Sequence, residues 1–166
     1  MALAYGKDSP QDVLAKAERD LARLEKAESS QDKDGMSDAL FDLAVSLTSL
    51  KDWLKEHPGA SFTSAAVESY VTNSVALSSF RDIANGGKHR VIRNYTPRTD
   101  EVTMSVMPSV RIATIHIEAE KSTASPKPFA RLKIIGADRS RHRATELGHA
   151  AIREWRAFMA QHSVSP

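Results

Sequence analysis

The sequence predicts an α+β fold, mainly a bundle of about four helices, with a small three-stranded antiparallel β insert before the last helix. Apolar residues recur at spacings of three and four in the first half of the chain and again near its end, which is typical of amphipathic helices. After the Gly86-Gly87 pair the spacing changes to two, which is typical of strands. At 166 residues the chain has the length of one domain, and we expect residues 1–166 to form a single one.

A helical hairpin is predicted over residues 10–57. Ser9 can cap the first helix, whose leucines and alanines repeat at three and four. We expect a polar loop over residues 29–35 and a second helix from about Ser37. Its leucines repeat at alternate spacings of three and four and form one apolar stripe: Leu40, Leu43, Leu47, Leu50 and Leu54.

A third helix is predicted over residues 63–85, and the Gly86-Gly87 pair is expected to end it as a C-cap. The β insert is predicted over residues 101–136, and a closing helix over residues 140–161 completes the bundle. Alternating residues place the strands of the insert near residues 102–106, 110–117 and 132–135, with a polar loop over residues 120–128.

The composition excludes several classes of protein. Cysteine is absent, which excludes disulfides, thiolate metal sites and a cysteine nucleophile. No apolar run approaches the roughly 20 residues that cross a bilayer, and the first residues lack the pattern of a signal peptide. We therefore expect a cytoplasmic protein with no membrane partner. Histidines without ligand spacing and glycines without a phosphate-loop pattern lead us to expect no metal and no cofactor.

Charge is distributed unevenly, although the net charge is only +2. Residues 1–60 carry 8 Lys and Arg against 12 Asp and Glu, whereas residues 61–166 carry 15 against 9. This asymmetry indicates either an anion-binding face on the second half or two surfaces that attract each other, within one chain or across a dimer.

Polar and titratable residues crowd together where the third helix is expected to end, in the segment Arg81–Arg90. An imidazole can move protons near neutral pH, and a guanidinium can hold a phosphate. Arg81 with His89 would therefore suffice for metal-free RNA cleavage, in which the 2′-hydroxyl attacks the adjacent phosphate. The alternative interpretation is a plain helix end, with Lys88 and His89 at the negative end of the helix dipole.

Three or four helices with a late arginine-to-histidine motif resemble the HEPN fold, whose members include RNA-cleaving toxins, defence nucleases and inactive relatives. The resemblance covers roughly residues 10–90 and 140–161, and the strands would be an insertion. It implies that Arg81 is the motif arginine, Asp82 the polar residue that often follows it, and His89 the motif histidine. Seven residues separate Arg81 from His89 here, whereas the family has four to six.

A second basic segment, Arg139-Ser140-Arg141-His142-Arg143, opens the predicted last helix. From residue 121 to residue 143 there are seven Lys and Arg against one acid. Clustered cations neutralise phosphate charge and release counterions, whereas the alternative is a solvated face or a salt-bridge patch between subunits. With the end of the third helix included, the predicted phosphate-binding residues are Lys88, Arg90, Arg139, Arg141 and Arg143.

These patterns lead us to expect a HEPN-like module of bacterial or phage type that forms a homodimer and contacts RNA, with cleavage an open question. The alternative is a non-catalytic homodimeric protein-protein interaction module, whose helical hairpin recruits a protein partner. It rests on the leucine stripe of the second helix, which Phe41, Val45 and Trp53 widen beyond one seam.

Overall fold

A computed structural model describes residues 8–58, 60–88, 97–107 and 129–164. The described residues hold five helices and a three-stranded antiparallel sheet that precedes the last helix, which confirms the predicted α+β, mainly helical fold. In chain order the elements are α1 (Pro10–Ser30), α2 (Lys33–Lys55), α3 (Ser64–Asn73), α4 (Val75–Lys88), β1 (Thr99–Met107), β2 (Phe129–Gly136), β3 (Arg141–Arg143) and α5 (Ala144–Gln161).

Helices α1 and α2 form the predicted hairpin, but the expected loop over residues 29–35 is wrong, since only Gln31 and Asp32 separate the helices. Gln31 takes a left-handed conformation with φ of 59°, which reverses the chain at once. The Asp32 carboxylate then accepts a hydrogen bond from the backbone N–H of Gly35 at 3.0 Å and so starts α2 among the polar residues.

The side chain of Gln31 also fixes the sheet to the hairpin. Its Nε2 donates to the backbone carbonyl of Ala130 at 3.2 Å, and its Oε1 accepts from the backbone N–H of Ala130 at 2.5 Å. One amide therefore satisfies both backbone groups of a β2 residue, as a neighbouring strand would.

The third helix is not continuous, which corrects the prediction of one helix over residues 63–85. Ser74 has an extended backbone, with φ of −84° and ψ of 130°, and separates α3 from α4. Its hydroxyl accepts from the backbone N–H of Leu77 at 2.9 Å, so Ser74 ends one helix and caps the next.

Gly86 and Gly87 lie within α4, so they are not the C-cap that the sequence predicted, and neither has a positive φ. A Cβ on Gly87 would lie 2.2 Å from Cε2 of Phe41 on α2. A Cβ on Gly86 would meet nothing within 4 Å. Gly87 therefore permits the close approach of α2 and α4 and does not reverse the chain.

The sheet has the strand order β1-β2-β3, with every pair antiparallel. The predicted strand over residues 110–117 and the loop over residues 120–128 lie outside the described residues. The third strand of the described sheet is β3, which the sequence placed in the closing helix over residues 140–161. That helix begins at Ala144, so the arginines before it do not open a helix.

The core lies between the helices and one face of the sheet. Ala130, Leu132 and Ile134 alternate along β2 and are buried, whereas the residues between them are half-buried. Trp155 on α5 is 1% exposed and donates its indole N–H to the backbone carbonyl of Leu47 at 3.2 Å. Across the described ranges, no helix has the length and apolar character that crossing a membrane requires.

Candidate functional site

The predicted motif arginine, Arg81, lies on α4 with its side chain only 13% exposed. Its Nε and Nη2 donate to Oδ1 of Asp82 at 3.3 and 3.2 Å. Its Nη1 donates to the hydroxyl of Thr72 on α3 at 3.3 Å. The guanidinium therefore joins α3 to α4 across the break at Ser74.

Asp82 is 3% exposed and joins α4 to the sheet. Its Oδ2 accepts the backbone N–H groups of Arg98 at 2.5 Å and Thr99 at 3.0 Å, at the start of β1. Its Oδ1 faces Arg81, so both carboxylate oxygens are used inside the protein. Hydrogen bonds from two backbone amides and a guanidinium are what a buried carboxylate needs.

The other predicted residues of this segment cannot be placed against Arg81. His89 and Arg90 lie outside the described residues, and so does the side chain of Lys88. The pairing of Arg81 with His89 stays a prediction, as do the phosphate contacts of Lys88 and Arg90. The described geometry gives Arg81 and Asp82 a structural role, which the sequence motif did not indicate.

The second predicted basic segment forms a turn and a strand. Gly136 donates its N–H to the carbonyl of Ser140 at 2.9 Å, and Arg139 donates its N–H to the carbonyl of Gly136 at 2.8 Å. Arg139 holds a φ of 66°, the left-handed conformation that a tight hairpin turn requires. The hydroxyl and backbone N–H of Ser140 donate to the Asp138 carboxylate and hold its pKa below the ordinary value.

Strand register brings the basic residues of β2 and β3 to one face. Lys133 lies opposite Arg143, and Arg141 lies opposite Ile135. Because Leu132 and Ile134 are buried, Lys133 and Arg141 lie on the outer face, away from the helices. Because Lys133, Arg141 and Arg143 lie close together on neighbouring strands, their charges add to a positive potential on this face.

The cations of this segment differ in their partners. Arg143 donates to Glu28 on α1 at 3.0 Å and to Glu146 on α5 at 3.1 Å. In the described ranges, Lys133, Arg139 and Arg141 form no ion pair. We call these three residues the basic hairpin, and Arg139 and Arg141 are its exposed members.

An interface of opposite charges joins α1 to the C-terminal elements, and the sequence predicted such an attraction only as one alternative, without its residues. Glu28 pairs with Arg143, Glu25 with His149 at 2.7 Å, and Glu18 with Arg156 at 2.7 Å. Glu18 and Glu25 are seven residues apart on α1, and His149 and Arg156 are seven apart on α5, so each set shares one helix face, which the sequence shows. The sequence does not show which helix each face contacts, because the contacts join residues more than 100 positions apart.

The described residues include no group of three or more His, Asp or Glu side chains that could hold a metal ion. Comparison with models of known protein families, with characterised proteins and with solved structures gave no significant match.

Proposed function

We propose that this chain is a HEPN-like helical module that binds RNA through the phosphates, at the basic hairpin. The observation that carries the proposal is the position of Lys133, Arg139 and Arg141 on one β-hairpin, with no ion-pair partner among the described residues. Arg143, on the same strand, shows the contrast, since two glutamates hold its guanidinium.

Arginine suits this role because its planar guanidinium forms two parallel hydrogen bonds with a phosphate. The charged positions of the outer face are Glu101, Arg131, Lys133, Arg141 and Arg143. Binding through phosphates predicts tolerance of many sequences and strong dependence on salt.

We propose binding, and not cleavage, as the principal activity. The Arg81 side chain is 13% exposed and makes three hydrogen bonds to Asp82 and Thr72, which favours a structural role for this guanidinium. A catalytic role for Arg81 with His89 would require that the protein cleaves RNA in an activity assay.

The alternative of a recruiting hairpin is weakened by where the leucine stripe of α2 lies. All five leucines of the stripe are buried in the core of this chain. Beside the stripe, α2 presents three less buried apolar residues to a partner or a second copy. They are Phe41, which is 39% exposed, and the half-buried Val45 and Trp53. A homodimer therefore belongs to the proposal as an expectation from the sequence.

The test is binding of a fluorescently labelled single-stranded RNA, measured by anisotropy over a series of salt concentrations. The double variant R139A/R141A is compared with R153A/K26A, which also removes two exposed cations that form no ion pair among the described residues. We expect R139A/R141A to bind more weakly and its salt slope to fall by about 0.7 for each phosphate that the protein no longer neutralises.

The control variant R153A/K26A is expected to behave like the parent protein, because its cations lie on α1 and α5 and not on the hairpin. Equal losses of affinity in both double variants would show that only net charge matters and would contradict the proposed site. A chelator in every sample makes any RNA cleavage that appears metal-independent.

A further inference from the structure

A cavity of about 370 Å³ lies where the C-terminal end of α2 meets the start of α1. This volume is in the lower part of the range of small-ligand sites, roughly 300 to 1,000 Å³. It lies at the opposite end of α2 from Asp32 and the sheet, so it is separate from the basic hairpin. None of the residues that line it has a role in the proposed RNA binding.

The wall of the cavity is apolar and fixed. Trp53 is partly buried against the core, and Pro10 is buried in the first turn of α1. Pro58 closes the wall just beyond the end of α2. The buried ring of Pro10 and the packed indole of Trp53 change little on binding, so this part of the wall is preorganised for a ligand.

The rim of the cavity is acidic. Asp8, Asp52 and Glu56 line it, and all three are exposed. The C-terminal end of α2, a helix of 23 residues, adds negative partial charge at the same place. A ligand that leaves water here meets an apolar surface surrounded by negative potential.

Two lysines near the rim are turned to other partners, and the half-buried His57 is also part of the lining. Lys51 lies 4.0 Å from Asp52 but 3.1 Å from Glu68 on α3, and Lys55 lies 2.8 Å from Glu68. The positive end of α1 also lies here, but a capping box already uses part of its hydrogen-bonding capacity. Ser9 accepts from the backbone of Asp12, and the Asp12 carboxylate accepts from the backbone N–H groups of Asp8 and Ser9.

We propose that this cavity binds a lysine or arginine side chain presented by a protein partner. The aliphatic stem would pack on the prolines, and the charged group would contact the indole face and the rim carboxylates. Charge complementarity favours a cation over any other ligand, because in the described structure neither Asp8 nor Glu56 has an ion-pair partner. The exposure of the rim carboxylates favours a side chain that enters from another protein.

The test uses the whole protein and the peptides Ac-Ala-Lys-Ala-NH2 and Ac-Ala-Arg-Ala-NH2. Their matched control is the same peptide with norleucine, which keeps the stem and removes the charge. Tryptophan fluorescence reports on Trp53, because the other indole, Trp155, is 1% exposed. We expect a saturable change with both cationic peptides and an affinity at least about fivefold lower for norleucine.

Variants locate the site. Asp52→Asn and Glu56→Gln should each weaken binding of the lysine peptide by about two- to fivefold, measured by calorimetry. Glu101→Gln is the matched control, since it removes an exposed carboxylate on β1 and should leave the affinity unchanged. Trp53→Phe should remove the fluorescence response and still bind by calorimetry.

Three outcomes would overturn the proposal. They are the absence of a saturable response with either cationic peptide, equal affinity for the norleucine peptide, and an equal loss of binding in Glu101→Gln. Circular dichroism of each variant shows that it remains folded, which is expected because the substituted carboxylates are exposed. RNA binding by Glu56→Gln should equal that of the parent, which separates this site from the basic hairpin.

Discussion

The carboxylate of Asp82 joins helix α4 to the start of β1. It accepts hydrogen bonds from the guanidinium of Arg81 on its own helix and from two backbone N–H groups at the start of β1. A short-chain acid is required at this position, because each oxygen serves a different element at hydrogen-bond distance. The sequence marked the same residue only as a neighbour of a motif arginine, since hydrogen bonds to a distant backbone leave no local pattern.

Gly87→Ala is expected to have a free energy of unfolding about 1–3 kcal/mol below that of Gly86→Ala, because the new Cβ would overlap the ring of Phe41 and displace it. Gly86→Ala is the matched control one residue away, where the Cβ meets nothing within 4 Å. It should raise the free energy of unfolding by up to about 1 kcal/mol, as alanine is the better helix former. Urea denaturation followed by circular dichroism measures both.

The Gly87 substitution repeated in a Phe41→Ala background separates a steric cause from a conformational one. With the ring removed, Gly87→Ala should become neutral or stabilising, because the glycine has no positive φ to protect. An unchanged cost in that background would mean that the backbone at Gly87, and not the contact with Phe41, requires glycine.

At the scale of elements, long apolar repeats were sufficient to predict helices, whereas short polar signals were not sufficient to predict caps, breaks or short strands. The repeats of α1, α2 and α5 extend over 18 residues or more, and the sequence predicted all three helices. Ser74 looks like one more polar residue on a helix face, although its hydroxyl caps α4. Strand β3 has three residues, too few to show alternation, and its pairing with β2 comes from the turn at Arg139.

Ser74→Ala is expected to lower the free energy of unfolding by about 1 kcal/mol, because the backbone N–H of Leu77 loses its acceptor at the start of α4. Ser74→Asp should restore most of this stability, since a carboxylate caps equally well and favours the positive end of a helix. Thermal unfolding of the three proteins measures the series. If Ser74→Ala were as stable as the parent, the hydroxyl would not be the cap.

The hydrogen bonds at the start of α1 should make the stability of the protein depend on pH in the acid range. The backbone N–H of Asp8 and then the hydroxyl of Ser9 donate to the Asp12 carboxylate, which lowers its pKa from the ordinary value of 3.8. A lowered pKa means that the stabilisation is complete well above 3.8 and is lost as the pH falls through the folded-state pKa.

Asp12→Asn should therefore be less stable than the parent near neutral pH, and the difference should shrink as the pH falls below the folded-state pKa of Asp12. Unfolding in urea at several pH values measures it, and a difference that is constant with pH would contradict the role of the charge.

At the scale of the whole molecule, the uneven charge of the sequence is partly neutralised within the chain. Glutamates of α1 pair with Arg143, His149 and Arg156, so the acidic first half and the basic second half attract each other. The described charges without an ion pair include two separate groups, the basic hairpin and the acidic rim of the cavity beside Trp53. In the two proposals, the hairpin offers its charge to a phosphate and the cavity offers its charge to a cationic side chain.

Whether the molecule binds RNA or also cleaves it is tested by Arg81→Ala and His89→Ala. Arg81→Ala should lower the free energy of unfolding by about 2–4 kcal/mol, because Asp82 stays buried without its charge partner. RNA affinity should remain close to that of the parent in both variants, since the basic hairpin is unchanged. Under the binding proposal, no cleavage occurs in the parent protein with a chelator present.

The two roles of Arg81 differ in which properties change together. A structural arginine, when removed, lowers the melting temperature and leaves no activity to lose, whereas removal of a catalytic acid or base costs about 10² to 10⁴ in rate. Chelator-resistant cleavage by the parent that disappears in both variants, with His89→Ala at the parent's melting temperature, would overturn the binding proposal in favour of a nuclease.

The double variant Arg81→Ala with Asp82→Asn tests whether the ion pair is structural. If the ion pair is structural, this variant should be more stable than Arg81→Ala alone, because the buried charge is gone.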